Sequence, residues 1–337
     1  MAMATEPLSP QQLAHFEAFG FVHLKGLFSA AEVATLRSEM ESAHAAAQAR
    51  DPFPENVRRG CRMLSDRTPL FQSLSEDRRF LGAARQMYGD VFSYGCDAGY
   101  YMGDTQWHAG EGESRHRLCC RFADSRAMPP PDHHVDPAKD CFGVKFCVYL
   151  DPLTAENGAL RLIPGSHRDP LHTALRDMRE AGSPELPPEQ VPCHVCETTP
   201  GDVIGFDMRA SHAAFNGFDG RRLCTVLFYV NPKNDAEVAG ARWRVIGNCR
   251  GMLERSHPED LLFHADWLAN KGGSSDRAYS IRRLRELGFL AVPTEADRQA
   301  IDDIQAGRAT APLTGSPFNA VRPGPESPTV INPRPAL

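Results

Sequence analysis

The chain has 337 residues, 42% hydrophobic and 24% charged, a balance that supports a buried core and excludes a wholly disordered or fibrous protein. Its formal net charge is −6 and no basic run is present, so the phosphate-neutralising surface that nucleic-acid binding requires is not expected. No apolar stretch reaches the roughly 18 residues of a membrane span, and the first residues lack the basic-then-apolar order of a secretory leader.

A cytoplasmic location is therefore expected, with neither nucleic acid nor membrane as a partner. The ten cysteines are scattered, with Cys119 and Cys120 the only adjacent pair, and are expected as reduced, mostly buried thiols. The terminal Pro335-Ala336-Leu337 differs from the Ser-Lys-Leu peroxisomal address.

In chain order, Ser9-Pro10 opens an amphipathic helix to about residue 19, residues 20–24 alternate like a strand, and Ser29 caps a second helix to about residue 47. Residues 51–90 are mixed, with helix expected at 76–88. From Phe92 the character changes to short strand-like runs separated by Gly, Pro, Asp and Asn, at 99–102, 144–150, 160–163, 203–206 and 223–230. Several such strands imply a sandwich or barrel. Residues 168–193 form a polar, Pro-rich excursion expected on the surface. Helix returns beyond Pro232, at 258–269 and 280–287. The fold class expected is mainly β with flanking helices (α+β). It forms a single domain over 1–310: helices at 9–90, a β core at 92–232 and a helical region at 233–310. Residues 311–337, rich in Pro, Gly, Ser and Asn, read as a disordered tail.

One constellation carries chemistry. Two His and one carboxylate on one face can hold Fe(II) and leave positions open for an oxoacid and O2. The sequence supplies Gly201 to Asp207, then Ser211-His212, then Arg221-Arg222 leading into a strand. A His nine residues before an Arg can put imidazole and guanidinium on one cavity, and Arg grips a carboxylate through two parallel hydrogen bonds. Taken alone, His212 reads more readily as a structural histidine and the Arg pair as a solvated turn.

Upstream, Tyr149-Leu150-Asp151-Pro152 is followed by Asn157-Gly158-Ala159-Leu160 and Ile163-Pro164-Gly165-Ser166-His167. This run resembles the phytanoyl-CoA dioxygenase family, and Phe19-Gly20-Phe21-Val22 and Leu27-Phe28-Ser29 match its start, so the resemblance spans about residues 9–232. It implies a double-stranded β-helix core of jelly-roll, cupin-like form. It also implies an Fe(II)- and 2-oxoglutarate-dependent dioxygenase that uses O2, with ascorbate as a candidate auxiliary reductant, to hydroxylate a small organic molecule and release succinate and CO2. Arg221 or Arg222 would take the far carboxylate of 2-oxoglutarate, and Tyr149 sits where the family often faces that cosubstrate. Lys145 reads equally as cavity-facing or solvent-facing. Arg161 and His167 are expected to shape a turn, and Trp107 to form a wall.

The resemblance breaks at the carboxylate ligand. Gly103-Asp104-Thr105-Gln106-Trp107-His108-Ala109 fits the family's Gly-Asp-Thr-x-Trp-His-x-Asp, but position 110 is Gly, and His108 lies 41 residues before Tyr149, too far for the pattern. Four readings follow. In the preferred one, residues 110–131 are an insertion, a retained intron: Gly110-Glu111 can encode a splice donor and Pro131-Asp132 an acceptor, and joining them leaves an Asp codon after Ala109. The ligands are then His108, Asp132 and His212. In the second, His108-Ala109-Gly110 is literal, as in halogenases where a small residue vacates a metal position for chloride. The third pairs His134 with Asp136. In the fourth the split site is inactive and the chain is a binding protein of the same fold.

Overall fold

The computed structural model describes residues 7–50, 59–61, 69–101, 105–108, 143–180, 190–217, 221–235, 237–238 and 269–287, with isolated positions at 299, 302–303, 306 and 308. The chain enters through α1 (Pro10–Phe19). The Ser9 hydroxyl accepts from the Gln12 amide at 3.2 Å and the Gln12 side chain accepts from the Ser9 amide at 2.9 Å, a reciprocal cap that satisfies two donors the helix start would leave unpaired. Gly20, at φ 80°, ends the helix and turns the chain into β1 (Phe21–Leu24). Ser29 and Glu32 exchange the same kind of cap at the start of α2 (Ala30–Arg50). After β2 (Arg59–Cys61) and α3 (Pro69–Leu74), Asp77 caps α4 (Arg78–Tyr88), which buries Phe80, Leu81, Ala83 and Ala84.

The remaining elements are β3 (Val91–Tyr101), β4 (Thr105–His108), β5 (Gly143–Tyr149), β6 (Leu160–Leu162), α5 (Leu171–Glu180), β7 (His194–Cys196), β8 (Val203–Asp207), β9 (His212–Ala214), β10 (Arg221–Val230) and α6 (Ser275–Glu286). The strands form two antiparallel sheets, six-stranded in the order β1-β8-β5-β10-β3-β2 and four-stranded in the order β4-β9-β6-β7.

Side-chain alternation along β5 separates two cores. Val144, Phe146 and Val148 join Val203, Cys224, Val226 and Phe228 under the helices, against Phe16, Val33, Leu36, Met40 and Phe80. Cys147 and Tyr149 point the other way and join Phe21, Ile204 and Phe206 with Leu160, Leu162 and Cys196 of the smaller sheet. The two sheets therefore enclose the inner core between them, and helices cover the outer face of the larger sheet.

Three expectations need correction. The excursion at 168–193 contains α5, whose buried His172 receives its own polar contact, Nδ1 to the Ser166 carbonyl at 3.0 Å. β3 starts at Val91 rather than near residue 99, and β4, β7 and β9 were not anticipated as strands. α6 begins five residues earlier than expected because Ser274, not a later residue, caps it, accepting from the Asp276 and Arg277 amides. The helix expected at 258–269, the tail and the suspected insertion at 110–131 lie outside the described residues.

Among the described residues no helix is long and apolar enough to cross a membrane. α6 packs against β3, where the Ser93 amide donates to Ser280 Oγ at 3.1 Å, and is tied to α4 and its flanking turns: Arg85 pairs with Asp276 at 2.7 Å, Arg277 pairs with Glu76, and Tyr279 donates to Asp90 at 2.7 Å.

Candidate metal centre

The crossover from β8 to β9 carries His212, and its backbone is held from several sides. Asp207, at the end of β8, is fully buried and accepts from the Arg209 amide at 2.8 Å, from Arg209 Nε and Nη2 at 2.9 and 2.6 Å, and from the Tyr88 hydroxyl at 2.5 Å. The Ala210 amide donates to the Asp207 carbonyl at 2.9 Å. The Ser211 amide donates to Ser166 Oγ at 2.8 Å, and the Ser211 carbonyl accepts from the Ile163 amide at 3.0 Å. Burial alone would raise the Asp207 carboxyl, but the guanidinium of Arg209 outweighs it and holds the group below its ordinary range. Burial and the adjacent carboxylate push the Tyr88 phenol well up, so it stays a donor.

His212 is buried, and its Nδ1 lies 2.9 Å from the Ala210 carbonyl. A carbonyl can only accept, so Nδ1 carries a proton, and in the neutral ring the lone pair is then on Nε2, across the ring. This is the tautomer of a metal-binding imidazole. The His212 ring lies 4.7 Å, centroid to centroid, from Phe206.

Strand register sets two rows of positions facing each other. Across the smaller sheet His108 is the Cα partner of His212, His212 of Leu162, and Leu162 of His194. Directly opposed positions of antiparallel strands share a face, and Leu162 belongs to the inner core, so the buried His212 opposite it faces inward as well. Across the larger sheet the row is Leu227, Lys145, Phe206 and Phe21. The rows meet where Phe206 lies against His212 and where Phe21 stacks on His194, 5.0 Å apart at 27°. Two histidine positions thus stand opposite each other on one strand pair at one end of the enclosed space.

The two arginines separate by strand parity. Arg222 faces outward: Nη2 and Nε bind Asp151 at 2.5 and 3.1 Å, its amide donates to Asp151 at 2.8 Å, and Glu41 takes the remaining nitrogen at 2.5 Å. These bonds, led by Asp151, raise the Arg222 pKa above its usual value. Arg221 shares the inward face with Leu223 and is buried, with Nη1 donating to the Gly158 carbonyl. Gly158 has φ 103°, and a Cβ there would come within 2.2 Å of Arg221 Nη1. Only glycine lets the backbone approach the guanidinium in this way.

Tyr149 is buried on the inward face opposite Leu223, and Lys145 is partly buried two inward positions away. Trp107 packs edge-on against Phe215 at 6.0 Å, and Arg161 lies over the same ring and donates to the Ala155 carbonyl at 2.7 Å. His167 sits beneath Gly20, where burial lowers its pKa. Asp132, His134 and Asp136 lie outside the described residues. Among the described residues no three His, Cys, Asp or Glu side chains are grouped to hold a metal.

Phe206, His194 and the Tyr88–Asp207–Arg209 network were not singled out from the sequence. Phe206 carried only a weak signal, as the inward position of an expected strand. The Tyr88 contact joins residues 119 positions apart and left none.

Among solved structures the chain is similar to HygX from Streptomyces hygroscopicus, crystallised with nickel and 2-oxoglutarate, at 23% identity over 67% of this chain and 88% of that one, with a TM-score of 0.49. It is also similar to EctD from S. alaskensis, at 22% identity over 68% of this chain and 80% of that one, with a TM-score of 0.47. No curated protein sequence matches it. The profile of the phytanoyl-CoA dioxygenase family matches residues 16–222, more than half of the chain, from within α1 to the first two residues of β10. On that match the chain belongs to the phytanoyl-CoA dioxygenase family and is an oxidoreductase.

Proposed function

We propose that this protein is an Fe(II)- and 2-oxoglutarate-dependent dioxygenase that hydroxylates a small organic molecule, releasing succinate and CO2, and that its two sheets are a double-stranded β-helix. The observation that carries the reading is the pairing of His108 with His212 in a strand register where the His212 tautomer is fixed by the Ala210 carbonyl. The donor set fits a non-haem iron centre: an imidazole whose neutral form, with Nδ1–H on a backbone carbonyl, has its lone pair on Nε2, a second histidine position directly opposite, and a buried guanidinium in the same interior.

His108, His212 and Asp132 would hold the iron, with His134 and Asp136 as alternates for the segment outside the described residues. Bound Fe(II) chelated by the oxoacid supplies the O2 activation and the oxidising power that no side chain has. The chain supplies position. Arg221, held by Gly158, takes the far carboxylate of 2-oxoglutarate through its fork of donors, and Tyr149 walls the same space. Phe206 and Leu162 exclude water around the histidines, which strengthens each charged contact there. Arg222 is assigned to the Asp151 and Glu41 pairs instead.

The test is Fe(II)-dependent conversion of 2-oxoglutarate to succinate, followed by mass spectrometry with and without chelator. Succinate that disappears on chelation and in His212→Ala is expected. Succinate formation unchanged by His212→Ala would overturn the assignment.

A further inference from the structure

Lys145 occupies an inward-facing position of β5, on the side of the strand that buries Cys147 and Tyr149 in the inner core. Its directly opposed neighbours are Leu227 on β10 and Phe206 on β8, so the lysine leaves the backbone between two apolar residues. Phe206 lies against the His212 ring, which roots Lys145 at the histidine end of the interior. Arg221 and Leu227 share the inward face of β10 six residues apart, so the two cations leave the sheet at separate points, and the Arg221 guanidinium lies on the Gly158 carbonyl.

Among the described residues no carboxylate pairs with Lys145, and a partly buried ammonium flanked by a leucine and a phenylalanine is costly unless an anion or water meets it. We propose that Lys145 recognises the substrate: it takes the carboxylate of an apolar organic acid, whose hydrocarbon part lies on Phe206 and Leu227. This rests on the assignment of Arg221 to 2-oxoglutarate. It narrows the substrate from any small molecule to an anionic amphiphile.

The probes are benzoate and its neutral counterpart benzamide, titrated by ligand-observed NMR into the full chain, both metal-free and loaded anaerobically with Fe(II) and 2-oxoglutarate. A charge-assisted hydrogen bond is worth about 1.5–3 kcal/mol, so the native protein is expected to prefer benzoate by about ten- to hundredfold. Lys145→Met should bring the two probes to within about twofold of each other, and Lys145→Arg should restore the preference. The 2-oxoglutarate affinity, read from the metal-to-ligand charge-transfer band, should stay within about twofold in both variants.

Equal binding of the two probes by the native chain, or failure to bind benzoate, overturns the proposal. So does a tenfold loss of 2-oxoglutarate affinity in Lys145→Met, which would give the lysine to the near carboxylate of the cosubstrate. If the native chain forms no charge-transfer band but keeps a benzoate preference that Lys145→Met removes, the anion site stands and the iron reading falls.

Discussion

His212 owes its orientation to the backbone. The carbonyl that fixes its tautomer belongs to Ala210, and Ala210 is held by the turn that Asp207 and Arg209 close. Arg221 and Arg222 show how one residue of strand parity decides a role. From the sequence both were equal candidates for the cosubstrate clamp; pairing with Asp151 and Glu41 takes Arg222 to the outer face, and burial beside Gly158 takes Arg221 inward. Arg222→Met is expected to leave the 2-oxoglutarate affinity unchanged while lowering stability by about 1–3 kcal/mol, because the Asp151 carboxylate loses its guanidinium fork and keeps only the residue-222 amide and the longer Arg37 pair at 3.7 Å. Arg221→Met is expected to weaken 2-oxoglutarate by at least about tenfold, the loss of a charge-assisted fork. Urea unfolding and cosubstrate titration on the pair of variants check both, and equal effects on cosubstrate affinity would contradict the division. Asp207 makes a pH prediction. Its folded pKa lies below the ordinary 3.8, so its stabilisation is present above that value and is lost as pH falls through the lower folded value. Asp207→Asn should therefore be less stable at neutral pH and show a shallower loss of stability below about pH 4, measured by denaturant midpoints across that range.

At the scale of elements, caps, long alternating runs and the short strands β1 and β6 were legible in the sequence, and the other short strands were not. Ser9 and Ser29 announced α1 and α2, and β5, β8 and β10 were visible because five or more residues of alternation or continuous apolarity leave a pattern. The smaller sheet is built from β4, β6, β7 and β9, of three or four residues each. β6 was expected, at 160–163, but the other three carry too little periodicity to distinguish from loop, and His108 and His212 were found as motif residues with no sheet to sit on. The Ile-Pro-Gly-Ser-His run was legible as a motif, but its physical use was not. Ser166 Oγ accepts from the Ser211 amide and donates to the Ile163 carbonyl at 2.6 Å, joining the exit of β6 to the entry of β9. Ser166→Ala is accordingly expected to cost about 1–3 kcal/mol in unfolding free energy, by leaving a buried amide unpaired, and to weaken Fe(II) binding. Full Fe(II) affinity in a destabilised Ser166→Ala protein would show that the join matters to the fold alone.

At the scale of the whole molecule, the family match ends at residue 222, but the described fold continues. α6 buries Ile281 and Leu284 and ties itself to α4 and the residues before it through Arg85–Asp276 and Arg277–Glu76. Ending the chain at residue 268 should lower the urea midpoint while leaving the two-sheet signature in far-ultraviolet circular dichroism. An unchanged midpoint would make α6 an ornament. The part least legible from sequence is the carboxylate ligand, since Gly110 stands where it is expected and 110–131 separates Asp132 from His108. The central claim is an iron centre on His108 and His212, and its most direct measurement is an anaerobic titration of Fe(II) and 2-oxoglutarate following the charge-transfer band. It is run on the full chain, on a chain joining Ala109 to Asp132, and on His212→Ala in both. A band in the shortened chain, at least as strong as in the full one and absent from both His212→Ala proteins, is predicted. A band that survives His212→Ala, or none in either parent chain, would contradict it.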